Sequence, residues 1–434
     1  MKKQIFLSVL FIPPIVLQYI AHSAGIGKIW MWKAILKWTF NPLLGVNLVI
    51  MLISSFITLK RGEKGRIKKY AVIYILLITL SLIPLPLGKK EIPTPIDPMP
   101  VVRNLIIITF DGTRSDRFWQ ANTTNSKNLA RRGVGSTRFY TVYPTITYPA
   151  HTSLFTGITP ETHKVFENEG DKMKIACMKY QTIFQYLKGK GFKIGVTGGF
   201  FLKYTIVGTG ADMVKVGMLS PDEAMNNAIE FIEENRNYRF AMAIHLAESD
   251  SIAHMYGDSS IQYIRAIEYQ DTQVGRLINK LEELNLLNST LIFITADHGM
   301  MGNKHHGVIP ICDVMCIPLV VYGPGIRSGY TLQDGLIIDI PETALFLLGY
   351  KWTGRDGKTL FAIYDPTVLG INENTLREAW MKVYNAQKGN IEKEYAYYML
   401  KDYLLFLSIL AAILMFKRKN HIASPNAFKN SSIR

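Results

Sequence analysis

The sequence predicts an α/β domain with a mostly parallel central sheet flanked by helices, joined to about four transmembrane helices. Three observations carry that expectation. Short continuous apolar runs alternate with longer amphipathic stretches through the middle of the chain, the pattern of buried parallel strands and their covering helices. Residues capable of chemistry follow several of those runs, at the strand ends where open α/β sheets bind ligands. Long apolar segments with basic flanks occupy both ends of the chain, as membrane spans do.

The expected spans are residues 5–21, 38–59, 70–87 and 395–416. Pro13 and Pro14 interrupt the first, and Lys401 and Asp402 interrupt the last. Basic residues flank them in alternation: Lys2 and Lys3, then the loop 60–69, then Lys417, Arg418 and Lys419. The positive-inside rule places all three groups in the cytoplasm and the middle domain outside it, which predicts an integral plasma-membrane protein. The first segment reads as a retained span; the alternative is a signal peptide cleaved near Ala21-His22-Ser23. The net charge is +15 over 434 residues, and these flanks hold most of it, so no nucleic-acid-binding face is expected. Of Cys177, Cys312 and Cys316, at most two can pair, and their spacing does not suit a structural zinc site.

The domain organisation follows. Residues 1–88 are expected to form three transmembrane helices, and 89–102 a linker stiffened by Pro93, Pro95, Pro98 and Pro100. Residues 103–385 form the catalytic domain, 386–416 a connecting helix and the last span, and 417–434 a basic cytoplasmic tail. Within the catalytic domain, strands are predicted at 105–110, 192–197, 240–246, 291–296 and 318–322. Helices are predicted at 221–233, which opens with Pro and acids, and at 259–286, where Tyr263, Ile267 and Val274 repeat at helical spacing. A further helix begins near Pro149.

The polar residues at the strand ends are Asp111, Asp250 with His254, Asp297 with His298, and the pair His305-His306 a little beyond. Carboxylates mixed with imidazoles suit zinc or manganese, and this set is large enough for two divalent ions. Two such ions can clamp the attacking and leaving oxygens of a phosphoryl group. The hydroxyl-rich stretch from Tyr143 to Gly157 offers a nucleophile at a helix N-terminus, where backbone N–H groups favour a phosphate.

In this order the segments resemble the nucleotide pyrophosphatase/phosphodiesterase (type I phosphodiesterase) branch of the alkaline phosphatase superfamily. The matching stretches are Phe110-Asp111-Gly112, Tyr143-Pro-Thr-Ile-Thr147-Tyr-Pro149, the run ending at His163, Asp250 with His254, Asp297-His298-Gly299-Met300 and His306-Gly307. The resemblance covers about residues 104–350. It implies that Asp111, Asp297 and His298 bind one metal, and that Asp250, His254 and His306 bind the other. Thr147 would attack phosphorus and form a phospho-threonine intermediate, and Asn168 would hydrogen-bond a non-bridging phosphate oxygen. The motif selects Thr147 over Thr145 and His306 over His305, and leaves His151 and His163 structural roles. Ala150 stands where the family often has Asn. Sulfatase chemistry is excluded, because it needs Cys or Ser where this chain has Thr147.

The expected function is metal-dependent hydrolysis of a phosphodiester, nucleotide or lipid-linked phosphate outside the cytoplasm. The alternative is a phosphotransferase of the same superfamily that moves phosphoethanolamine or a related head group. A transporter would need paired intramembrane charges, which the spans lack, and an inactive binding module would have lost a ligand residue, which this chain has not.

Overall fold

All seven residues of β1 (Asn104–Phe110) are buried, as a strand covered on both faces requires. Around it the computed structural model, which describes residues 25–59, 74–85, 87–302, 306–307 and 309–417, builds a nine-stranded sheet. The other strands are β2 (Val134–Tyr140), β3 (Lys193–Gly198), β4 (Met213–Val216), β5 (Phe240–Leu246), β6 (Thr290–Thr295), β7 (Cys316–Tyr322), β8 (Tyr330–Thr331) and β9 (Gly335–Leu336). Their order is β4-β3-β5-β1-β6-β7-β2-β8, with β9 also paired to β2.

The first five strands in that order are parallel, and β1 lies between β5 and β6, with Phe110 opposite Leu246 and Thr109 opposite Thr295. These three carboxyl ends therefore lie side by side. Strand β7 runs antiparallel to β6. The chain leaves β6, forms its loop and the short helix Cys312–Met315, and returns without the crossover helix that a parallel strand would need. Strand β2 is antiparallel to β7, so its end at Tyr140, opposite Cys316, lies at the same edge of the sheet as the ends of β1 and β6 and extends past them. The chain then passes from β2 into the helix Thr147–Thr156.

Flanking helices start where the sequence provides caps. Ser220 accepts from the Glu223 N–H while the Glu223 carboxylate receives the Ser220 N–H, and Pro221 opens the helix Pro221–Asn235. Ser260 caps the helix Ile261–Glu283 through the Tyr263 N–H. Tyr263, Ile267 and Val274 on that helix pack with Ile106, Ile108, Met242, Ile244 and Ile292 of the sheet in one core.

The chain divides into two compact units. One comprises residues 1–22, 35–88 and 392–434, and the other residues 23–34 and 89–391, including the sheet. Among the described residues no helix is long and apolar enough to cross a membrane, so the expected transmembrane helices, about four, are not found there. Residues 38–59 lie in the helix Ile26–Leu59, where Asn41, Pro42 and Asn47 break the apolar run. Of the expected span 70–87, residues 74–82 are helical. Residues 395–416 lie in the helix Glu373–Lys417, which carries Lys401 and Asp402. The expected span 5–21, the basic loop 60–69, the tail from 418 and His305 lie outside the described residues.

Candidate active site

Three adjacent strand ends deliver the candidate ligands. Asp111 directly follows β1, and Asp297 and His298 follow β6 after Ala296. Beyond β5 the chain turns into the helix Glu248–Tyr256, where Asp250 and His254 are one helical turn apart and face the same way, with Oδ2 and Nε2 3.5 Å apart. Gly112 permits the close approach. Its φ is +61°, and a Cβ there would come within 2.6 Å of Asp250 Oδ1. Its N–H also donates to Asp297 Oδ1 at 3.1 Å.

Each imidazole is oriented by its Nδ1 atom. His298 Nδ1 lies 2.9 Å from the Gly299 carbonyl and His306 Nδ1 3.1 Å from the Thr145 carbonyl, so both Nδ1 atoms donate. Both Nε2 atoms then carry lone pairs. His298 Nε2 faces Asp111 Oδ1 and Asp297 Oδ2, each at 3.4 Å, and His306 Nε2 faces His254 Nε2 at 3.2 Å. The His298 and His306 rings stack at 4.3 Å.

Lone pairs thus converge on one another. Asp111 Oδ1, Asp250 Oδ1, Asp297 Oδ2 and His298 Nε2 are buried and have no hydrogen-bond partner among the described residues. A buried polar atom left without a partner is costly, and several aimed at one another are more so. Divalent cations would satisfy them. Two groups have ligand atoms within 4.8 Å of one another: Asp250, His254 and His306, and Asp111, Asp250 and His298. The first is the ligand set expected for one metal. In the second, Asp250 joins Asp111 and His298, and the free oxygen of Asp297 borders that group through His298.

The electrostatics agree with this donor chemistry. Burial, with Asp297 and Asp250 nearby, pushes the Asp111 carboxyl well above the usual range, and burial also raises Asp250. Burial opposes ionisation of Asp297 too, but His298, His151 and His245 outweigh it and hold this carboxyl down at about 2. Burial and the neighbouring His298 lower His306 to about 4, which keeps its ring neutral and able to ligate.

Thr147 is the first residue of the helix Thr147–Thr156. The Tyr148 N–H donates to Asn168 Oδ1 at 3.0 Å, which holds the exposed Asn168 side chain beside the first turn of this helix. His151 is buried; its Nδ1 donates to the Thr147 carbonyl at 2.9 Å and its Nε2 accepts from the Thr109 hydroxyl at 3.1 Å. His163 pairs with Ser153 and accepts from the Val165 N–H. Both histidines are buried and hydrogen-bonded within the fold. Tyr148 opens an aromatic shelf with Phe201 at 5.4 Å, Phe200 at 6.1 Å and Tyr204 at 6.4 Å.

Two features were not legible from the motif. His245 lies inside β5 and its Nε2 is 3.0 Å from Asp111 Oδ2. A histidine one place before the end of an apolar strand was the available signal. Cys312 and Cys316 form a disulfide, leaving the buried Cys177 free with its thiol pushed up to about 12. The disulfide brackets Asp313, which pairs with Arg114 at 3.1 Å, and Arg114 also pairs with Asp258, just past the helix of Asp250 and His254.

Residues 105–173 and 214–317 match the family model described as Type I phosphodiesterase / nucleotide pyrophosphatase, and every candidate residue falls in these two stretches. The chain is 27% identical over 250 residues to human ectonucleotide pyrophosphatase/phosphodiesterase family member 1, covering 51% of this chain and 26% of that protein. It is 26% identical over 256 residues to a bis(5'-adenosyl)-triphosphatase of Xenopus laevis, covering 53% and 52%. The matched part thus spans about a quarter to a half of these relatives. Murine ectonucleotide pyrophosphatase/phosphodiesterase 5 shares the fold with a TM-score of 0.52 at 16% identity, over 59% of this chain and 97% of that one. The human form gives 0.51 at 15% identity.

Proposed function

We infer that the chain belongs to the nucleotide pyrophosphatase/phosphodiesterase family of alkaline phosphatase-like proteins and hydrolyses phosphodiester or pyrophosphate bonds through Thr147. The observation that carries this reading is the convergence of unpartnered carboxylate oxygens of Asp111, Asp250 and Asp297 with His298 Nε2 at three strand ends, beside His254 and His306. The family match supports it. The relatives are pyrophosphatases, phosphodiesterases and a triphosphatase by name, which favours hydrolysis over head-group transfer.

Asp250, His254 and His306 would hold one cation, and Asp111, Asp297 and His298 the other. Zinc suits this donor set, and manganese takes similar ligands. When bound, the two cations would neutralise the phosphoryl oxygens and lower the pKa of the nucleophile. Thr147 Oγ would attack phosphorus from the helix N-terminus as the ester or anhydride oxygen leaves with the electron pair and takes up a proton. Water then attacks the same phosphorus and releases Thr147. Asn168, anchored through its Oδ1, would offer its N–H to a non-bridging oxygen. Tyr148 and its aromatic neighbours give a planar leaving group or base a stacking surface.

We also propose that the first unit associates with a membrane and that the catalytic domain lies outside the cytoplasm. Val46, Leu48, Val49, Ile75, Leu76, Leu80 and Leu82 are exposed, a larger apolar surface than a water-facing unit usually carries. The Cys312–Cys316 disulfide suits an oxidising compartment.

The test uses full-length protein in detergent, loaded with zinc or manganese. A nitrophenyl phosphodiester is cleaved faster than the monoester, and Thr147→Ala is inactive on both. A metal-loaded protein that cleaves neither ester would contradict hydrolysis.

A further inference from the structure

We propose that His245 is a positioning residue that fixes Asp111 as a one-oxygen metal ligand. The inference rests on the metal reading of Asp111, Asp297 and His298.

The geometry determines the direction of each hydrogen bond. The Gly199 N–H lies 3.2 Å from His245 Nδ1, and a backbone N–H can only donate, so Nδ1 is the acceptor. Nε2 therefore bears the hydrogen and donates it to Asp111 Oδ2 at 3.0 Å. That occupies one carboxylate oxygen and leaves Oδ1 alone to face His298 Nε2.

The surroundings hold the ring to this task. His245 is buried, and Phe201 and His151 meet its ring at 4.9 and 5.2 Å. The Gly198-Gly199 turn approaches closely, since Gly198 has φ +120° and a Cβ there would come within 2.2 Å of the His245 carbonyl oxygen. Past this turn the chain runs into the 3-10 helix Phe200–Ile206, whose aromatic rings pack against Tyr148. One turn thus supplies both the hydrogen bond that sets the imidazole and the shelf beside the nucleophile.

Partners that orient a metal's ligands typically change its affinity about 10–100-fold when removed. The experiment measures zinc affinity of the full-length protein by competition with a chromophoric chelator, with no substrate present. Gln at 245 places an amide N–H near the position of Nε2, whereas Asn reaches only the position of Nδ1. In His245→Asn, one of the two zinc equivalents should weaken about 10–100-fold while the other is unchanged; His245→Gln should restore it to within about threefold. Should the Asn chain not fold, His245→Leu, which fills the space without a donor, replaces it. The proposal is overturned if Asn and Gln bind both equivalents as the wild type does, if they weaken alike, or if both equivalents fall together. A wild type that binds no zinc would instead refute the metal reading itself, and it would do so before any variant is compared.

Discussion

Thr145 and Thr147 stand two residues apart, and the structure separates their roles. Thr145 is fully buried and its carbonyl receives His306 Nδ1, whereas Thr147 opens the helix and is only partly buried. Thr147→Ala should therefore lower phosphodiester turnover by at least about 1,000-fold while zinc binding persists, and Thr145→Ala should retain measurable turnover. Gly112→Ala tests the crowding at the centre. The added methyl must displace Asp250, so zinc stoichiometry by elemental analysis should fall while far-ultraviolet circular dichroism stays native. At this scale the sequence was informative where chemistry demands order along the chain: Asp111, Asp250, Asp297 and His298 follow apolar strands, and the structure brings their side chains near those of His254 and His306. It was uninformative about His245, because a histidine within Phe240–Leu246 looks like a strand residue until its neighbour across the sheet is known.

Elements differed in legibility for a physical reason. Strands β1, β5 and β6 are buried throughout and so read as unbroken apolar runs. Strand β2 exposes Thr137 and Arg138, shifts register between Ser136 and Phe139, and carries no such run. Helix starts were legible through their caps, and Ser220→Ala should cost about 1 kcal/mol of stability in chemical denaturation. The helix Asp339–Leu347 makes a different prediction. Burial pushes its Glu342 carboxyl up to about 8, against the pull of Arg355. The folded state then holds this proton more tightly than the unfolded chain does. The associated stability is fully present below the ordinary value of 4.5 and is lost as pH rises through about 8. The free energy of unfolding between about pH 5 and 9, read from chemical denaturation, should fall more steeply for the wild type than for Glu342→Gln, by on the order of a few kcal/mol. Parallel profiles would show that Glu342 does not titrate there.

For the whole molecule, apolar segments with basic flanks at both ends of the chain were read as spans, yet among the described residues no helix is long and apolar enough to cross a membrane. Detergent-phase partitioning of the full chain checks the proposed membrane association, and recovery in the aqueous phase would contradict it. Cations that bind only the folded state add stability, about 4 kcal/mol at a thousandfold excess over the dissociation constant. Chelation should therefore lower the melting temperature by several degrees and zinc should restore it, whereas a His254→Ala variant should respond less.

The central claim is that Thr147 attacks phosphorus and is then displaced by water. The stereochemical course at phosphorus tests it most directly. The zinc-loaded full chain hydrolyses a phosphorothioate diester of known configuration in oxygen-labelled water, and the product's configuration is determined. Two successive displacements predict overall retention. Inversion would mean that water attacks the substrate directly, and Thr147 would then not be the nucleophile.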